Sequence, residues 1–125
     1  MIAVDSSVVL AVLFDEPGAQ KALERMTGGM MSAVNHAETG AKMIARGWRR
    51  GEWETVVDSF GLMLVPFDRR MAALSAGLAA DFARRGISFA DRACIVLGMV
   101  EKLPLLTADR KWADLGLDLE VELIR

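Results

Sequence analysis

Four acidic residues lie in largely apolar surroundings and are the strongest candidates for chemistry in this chain: Asp5, Glu38, Asp91 and Asp109. A half-buried carboxylate beside others is costly unless a cation neutralises the group. Oxygen ligands without Cys or His partners favour Mg²⁺ or Mn²⁺ over zinc. One or two such ions can activate a water molecule, orient a phosphodiester and stabilise the leaving oxygen. We therefore expect a divalent-metal site suited to phosphodiester hydrolysis.

Each carboxylate also has a purely structural alternative. Asp5 could accept backbone N–H groups at the start of the following helix, and Asp109 could cap the last helix. Asp91 stands three residues after Ser88, which is the spacing of a capping box. Glu38 could complete a capping box at the start of its helix or pair with a lysine one turn further on.

Polar and basic residues adjoin these acids. Ser6 and Thr107 place hydroxyl groups that could hold a metal-bound water or a phosphate oxygen, or could simply cap helices. Arg92 and Arg110 could contact a phosphate backbone. Alternatively, they form salt bridges that hold the carboxylates, or are ordinary surface charge.

The elements that must position these residues alternate between short apolar runs and helical patterns. We predict strands at 2–4, 30–33, 62–65, 104–107 and 120–124, the last at a sheet edge, and helices at about 8–15, 17–28, 35–48, 52–60, 69–85, 88–102 and 109–115. Such an alternation predicts an α/β fold with a mostly parallel sheet and helices on both faces. Ser6 or Ser7 is the expected cap of the first helix, Pro17 suits the first turn of the second, and Asn35 the cap of the third.

The carboxyl edge of this sheet is where the four acids should meet. Asp5 directly follows the first strand and Asp109 lies two residues after the fourth. Glu38 lies in the first turns of the helix after the second strand, and Asp91 in the first turn of a later helix. Because ligands bind beyond the carboxyl ends of parallel strands, we expect one shared crevice.

Composition sets the limits of this interpretation. Hydrophobic residues make up 53% of the chain and charged residues 26%, which indicates one globular domain over residues 1–125. The net charge of −2 means that any nucleic acid must be bound by local basic patches. With one Cys and one His, a Cys/His zinc cluster is excluded. We expect a cytoplasmic protein, since no targeting signal or run long enough to span a bilayer is visible.

Four motifs carry a family resemblance that covers essentially the whole chain. They read VDSS at 4–7, SAVNHAE at 32–38, SFADRAC at 88–94 and LTADRKW at 106–112. In order and spacing the sequence resembles the PIN-domain ribonucleases, and specifically the VapC-type toxins of bacterial toxin–antitoxin pairs.

This resemblance implies specific properties. It implies a five-stranded parallel sheet, endonucleolytic cleavage of RNA that depends on Mg²⁺ or Mn²⁺, a homodimer, and inhibition by a VapB-type antitoxin. It also implies that Asp5, Glu38, Asp91 and Asp109 are the catalytic, metal-binding acids, with Asp109 bound either directly or through water.

Three other classes of protein were weighed. The closest rival is a PIN-like module that binds RNA or protein without catalysis, against which the four intact acids argue. A phospho-acceptor receiver domain needs paired acids after the first strand and an acceptor Asp after a central strand, but Asp5 stands alone and the third strand runs into residues 65–67, Val-Pro-Phe. A phosphatase with an Asp-x-Asp pair fails because two serines follow Asp5.

Overall fold

A computed structural model describes the backbone of residues 1–125 and every side chain except that of Ala83. The strands are β1 (Ala3–Val4), β2 (Met30–Ser32), β3 (Met63–Val65), β4 (Leu105–Thr107) and β5 (Val121–Leu123). The helices are α1 (Ser6–Leu13), α2 (Ala19–Met26), α3 (Ala33–Ala45), α4 (Trp53–Asp58), α5 (Arg69–Phe82) and α6 (Phe89–Glu101). Two short 3-10 helices cover Ala83–Arg85 and Arg110–Asp114.

The five strands form one parallel sheet in the order β3-β2-β1-β4-β5. This confirms the predicted α/β fold, the five strands and the edge position of the last one. Val4 of the central strand pairs with Leu106 of β4, so Asp5 and Thr107, which follow them in the chain, lie side by side. The carboxyl ends of β1, β2 and β4 therefore share one edge.

Helices cover both faces of the sheet, as the alternating pattern predicts. Successive residues of a strand point to opposite faces. Ile2 and Val4 accordingly pack in one buried cluster with α1, α2 and α3, whereas Ala3 packs in a second cluster with α5 and α6. Strands that are buried on both faces read as continuous apolar runs, which is why the short runs at 2–4 and 105–106 identified them.

Three predicted helix starts are wrong. Asp5, not Ser6 or Ser7, is the N-cap residue of α1. Pro17 lies outside α2, whose N-cap is Gly18 at φ +88°, a conformation that suits glycine. Asn35 does not cap α3, because Ser32 at the end of β2 accepts the backbone N–H of Val34 and the helix begins directly after the strand.

The remaining differences concern helix ends. The predicted helix at 69–85 ends as α5 at Phe82 and continues as a 3-10 turn, and the predicted last helix is the 3-10 helix at 110–114. The start of α6 follows the prediction, since Ser88 and Asp91 form the expected capping box. No helix in the part of the chain described by the structure is long and apolar enough to cross a membrane.

Candidate active site

Asp5 lies at the centre of the site, where β1 ends. Asp5 is buried, with only 3% of its surface exposed. Ser7 Oγ donates a hydrogen bond to Asp5 Oδ2 at 2.6 Å, and Thr107 Oγ1 donates to the same oxygen at 3.0 Å. The predicted structural alternative is wrong here, because the Asp5 side chain makes no capping hydrogen bond to α1. One carboxylate oxygen is thus fixed by two hydroxyl groups.

Burial raises the pKa of Asp5 from 3.8 to about 6. The hydrogen bonds from Ser7 and Thr107 lower that pKa, whereas the charges of Asp91 and Glu38 raise it further. The anion is therefore unfavourable where it stands, even with two donors beside it. A cation among these acids would remove that cost.

Glu38 approaches from the first turns of α3. Ser6 Oγ donates a hydrogen bond to Glu38 Oε1, while Lys42 Nζ lies 4.0 Å from Oε2, one helical turn away. The predicted pairing with that lysine is therefore present, and the alternative of a capping box with Asn35 is wrong. The Glu38 side chain is 27% exposed, so it can turn between the acids and solvent.

Asp91 lies in the first turn of α6. Its Oδ2 accepts the backbone N–H of Ser88 at 2.8 Å, and its own backbone N–H donates to Ser88 Oγ at 3.2 Å. Burial raises the pKa of Asp91, the Ser88 hydrogen bonds lower it, and the charges of Asp109 and Glu38 raise it. The structural role that the sequence offered for Asp91 is therefore real, and one carboxylate oxygen is not used by it.

Asp109 follows β4, and each of its two carboxylate oxygens has a partner. Its Oδ1 accepts the backbone N–H of Lys111 at 3.0 Å, as a cap of the 3-10 helix, and its Oδ2 lies 3.7 Å from Lys111 Nζ. Its backbone N–H donates to Thr107 Oγ1 at 3.1 Å. Thr107 thereby links Asp109 to Asp5.

Glu38 and Asp91 lie close enough to Asp5, and Asp109 close enough to Asp91, for their charges to raise the pKa of these neighbours, but the four acids are not gathered around one point. Among the side chains that the structure describes, no three of Asp, Glu, His or Cys lie close enough to hold a metal ion as they stand. The donor set nevertheless fits a hard divalent cation, because it consists of oxygen atoms and its central carboxylate is destabilised by burial and by its acidic neighbours. Glu38 and Asp91 would have to turn toward Asp5 when a cation binds.

Asn35 is the site residue that the sequence analysis placed wrongly. It is fully buried in α3, and its Nδ2 donates to the backbone carbonyl of Ala90 at 3.0 Å and, more weakly, to Asp5 Oδ1 at 3.5 Å. Its Oδ1 has no hydrogen-bond partner among the described residues. The sequence feature that could have located Asn35 in the site is its position one helical turn before Glu38, because that spacing puts both side chains on one face of the helix.

The two arginines next to the acids remain available for a ligand. None of the ion pairs between described side chains involves Arg92 or Arg110, so the predicted salt bridges to the carboxylates are not formed. Arg110 is exposed, and Arg92 is half-buried with Nη1 directed at the Ile87 carbonyl at 3.4 Å.

Fold and site together define an α/β protein with an acidic crevice at the carboxyl edge of a parallel sheet. A sequence model described as the PIN domain matches residues 2–117. The chain therefore belongs to the PIN domain family, which confirms the family resemblance. A search of curated proteins found no match.

Solved structures share this fold at low sequence identity. A chain from a toxin–antitoxin complex of Klebsiella pneumoniae has a TM-score of 0.76 and 15% identity, with 98% of this chain and 97% of that chain covered. A chain from VapBC2 of Rickettsia felis bound to a promoter DNA fragment has a TM-score of 0.70 and 16% identity, with 95% of each chain covered. A chain from DNA-bound VapBC of Salmonella typhimurium has 0.72 and 16%, with 100% of each covered.

Proposed function

We propose that this protein is a metal-dependent endoribonuclease and the toxin of a VapBC-type toxin–antitoxin pair. The observation that carries the proposal is the buried Asp5 carboxylate, whose pKa is raised to about 6 beside two other acids. A fold gains nothing from such an anion unless a cation joins it. PIN domains are generally nucleases, so family membership supports a hydrolase.

In this proposal the four acids divide the work. Asp5, Glu38 and Asp91 would hold Mg²⁺ or Mn²⁺, and Asp109, whose oxygens are already engaged, would act through water. The bound ion would supply an activated water and neutralise charge on the phosphodiester. Thr107 fixes one oxygen of Asp5, so that the other oxygen faces only the long contact from the Asn35 amide.

RNA is the substrate we propose. Arg92 and Arg110 support a phosphate backbone at the crevice, because neither is paired with a carboxylate among the described ion pairs. Because the net charge is −2, a nucleic acid would need a local basic patch, and in this proposal the two arginines beside the acids provide it.

The partners are proposed from the structural neighbours, two of which come from VapBC complexes. We expect a cytoplasmic homodimer that a VapB-type antitoxin inhibits. A cavity of about 410 Å³ between α1 and α3, with Ser7 at the acidic crevice and Phe14 and Arg46 further out, is the surface we assign to the antitoxin. Arg46 stacks on the Phe14 ring at 4.1 Å from its centroid.

The test of catalysis is cleavage of a folded RNA by purified protein. We expect cleavage with Mn²⁺ and none with EDTA, and we expect Asp5→Asn and Asp91→Asn to lose it. Asp118→Asn is the matched control, because Asp118 is exposed and precedes β5 at the opposite edge of the sheet. Wild-type protein that binds RNA but leaves it intact with Mn²⁺ would instead favour the non-catalytic module.

The test of the partners is separate. Light scattering should give the mass of two chains. Co-expression with a VapB-type antitoxin should yield a complex in which RNA cleavage is lost, and Phe14→Ser should weaken that complex. A monomeric mass, or an antitoxin that neither binds nor inhibits, would contradict this part of the proposal.

A further inference from the structure

An exposed aromatic ring lies at the start of α6, the helix that carries Asp91. Phe89 is the first residue of α6, two positions before Asp91, and it is 51% exposed. Its ring is held in place, because Phe67 meets it edge to face with 5.6 Å between the ring centroids and an interplanar angle of 89°. Phe67 itself is partly buried against the core below α5 and α6. About half of a ring that is held in place is thus open to solvent.

An arginine side chain lies beside this ring. The guanidinium carbon of Arg92 lies 5.8 Å from the centroid of Phe89, within the range of a cation–π contact. Arg92 takes part in none of the ion pairs among the described side chains, and its only recorded hydrogen bond is a long one, from Nη1 to the Ile87 carbonyl at 3.4 Å. An arginine that is positioned next to an aromatic ring but left unpaired with the adjoining acid is suited to a phosphate group.

We propose that Phe89 and Arg92 form a stacking platform, on which Phe89 takes one unpaired base of the RNA while Arg92 contacts a phosphate beside that base. This inference rests on the proposed ribonuclease function and deepens it. Aromatic side chains stack on any base, but only where the base is free of a helix, so the platform selects single-stranded segments rather than a sequence. Cleavage is thereby directed to loops and unpaired ends.

The experiment measures binding in EDTA, so that it does not depend on cleavage. A labelled single-stranded oligoribonucleotide is compared with a duplex of the same composition. We expect Phe89→Leu, which keeps an apolar side chain, to bind the single strand about 5- to 30-fold more weakly. Phe89→Trp should retain binding with quenched indole fluorescence. Met99→Leu, at an exposed apolar position near the other end of α6, is the matched control and should change nothing.

Abasic oligonucleotides make the test specific to stacking. In the wild type, removal of the stacked base should cost as much affinity as Phe89→Leu does, whereas in Phe89→Leu the same removal should cost nothing. Arg92→Gln should lower the slope of log affinity against log salt by about one. Duplex binding should change less than twofold in Phe89→Leu.

The outcomes separate the platform from the nuclease. If the wild type cleaves RNA while Phe89→Leu leaves single-strand binding unchanged, the platform is wrong and the nuclease stands. If Phe89→Leu weakens single-strand binding but the wild type never cleaves with Mn²⁺, the nuclease is wrong and the platform remains an RNA-binding feature. A wild type that prefers the duplex, or a Phe89→Leu variant that changes the number of associated chains, would overturn the platform, the latter by placing Phe89 between copies.

Discussion

Replacing Asp5 by Asn should stabilise the metal-free protein while removing its activity. The pKa of Asp5 rises from 3.8 to about 6 on folding, so at pH 7.5 the folded protein holds an anion that the unfolded chain would hold at lower cost. Two pKa values that differ by about two, at ~1.4 kcal/mol per tenfold step, correspond to a penalty of up to ~3 kcal/mol. An uncharged side chain of the same shape avoids it.

Part of this gain is lost to hydrogen bonding. In the variant, the amide oxygen can keep the hydrogen bonds from the Ser7 and Thr107 hydroxyls, but the amide nitrogen then meets the Asn35 Nδ2 donor, which in the wild type points at the other carboxylate oxygen at 3.5 Å. After the usual cost of an imperfect hydrogen bond is subtracted, we therefore expect a net stabilisation of about 1–3 kcal/mol. With an m-value of ~1–3 kcal/mol/M, the urea midpoint should rise by roughly 1 M.

The pH dependence identifies the cause. A folded-state pKa above the unfolded value means that the folded protein binds more protons between about pH 3.8 and pH 6, so wild-type stability falls as pH rises through that window. The advantage of Asp5→Asn should therefore be full at pH 7.5 and shrink toward zero near pH 4. Urea unfolding in EDTA at several pH values measures this difference.

A control variant and added Mn²⁺ both test whether burial of the Asp5 charge is the cause. Asp118→Asn, at an exposed position, should show no such pH-dependent gain. Adding Mn²⁺ should raise the urea midpoint of the wild type but not that of Asp5→Asn. An Asp5→Asn variant that is no more stable than the wild type at pH 7.5, or whose advantage is the same at pH 4, would refute the argument from burial.

Four further substitutions test the elements around the site and the glycines of the fold. Asn35→Leu should destabilise the protein by about 1 kcal/mol through loss of the amide hydrogen bond to the Ala90 carbonyl, and should also lower RNA cleavage; unchanged activity at matched folding would deny Asn35 a role in placing the acids. Ser88→Ala should cost about 1 kcal/mol in urea unfolding through loss of the capping box, with no loss if that box does not form in solution. Gly18→Ala should destabilise the protein by more than ~1 kcal/mol, because φ is +88° and a Cβ would meet the backbone of Ile124. Gly77→Ala, at an open position within α5, should stabilise it by ~0.5–1 kcal/mol. Equal effects of the two substitutions in thermal unfolding would contradict this assignment.

Much of the architecture could be predicted because the strands are short, fully buried and apolar. The runs around Val4 and Leu106 have no polar face, which is the pattern of a parallel strand covered on both sides. Once those strands were placed, the rule for the carboxyl edge of a parallel sheet brought Asp5 and Asp109 together without any knowledge of contacts. The capping box at Ser88 was likewise a local pattern with a local cause.

The interior of the site could not be predicted by the same means. Asn35 and Ser32 are both good N-cap residues, and the local pattern alone cannot show that the chain turns into a helix as soon as β2 ends. The role of Asn35 then depends on Asp5 and Ala90, which come from other elements. The hydroxyl partners of Asp5 were similarly unpredictable, since Thr107 lies on a neighbouring strand and Ser7 was expected to cap a helix.

The place of β1 has a consequence for synthesis of the protein. β1 lies between β2 and β4, and Asp5 receives a hydrogen bond from a residue 102 positions later in the chain. While the ribosome is still making the chain, β1 has one unpaired edge and Asp5 has no Thr107. A translation product that stops before β4 therefore lacks both Thr107 and Asp109 and cannot complete this acidic cluster, however well its earlier helices form.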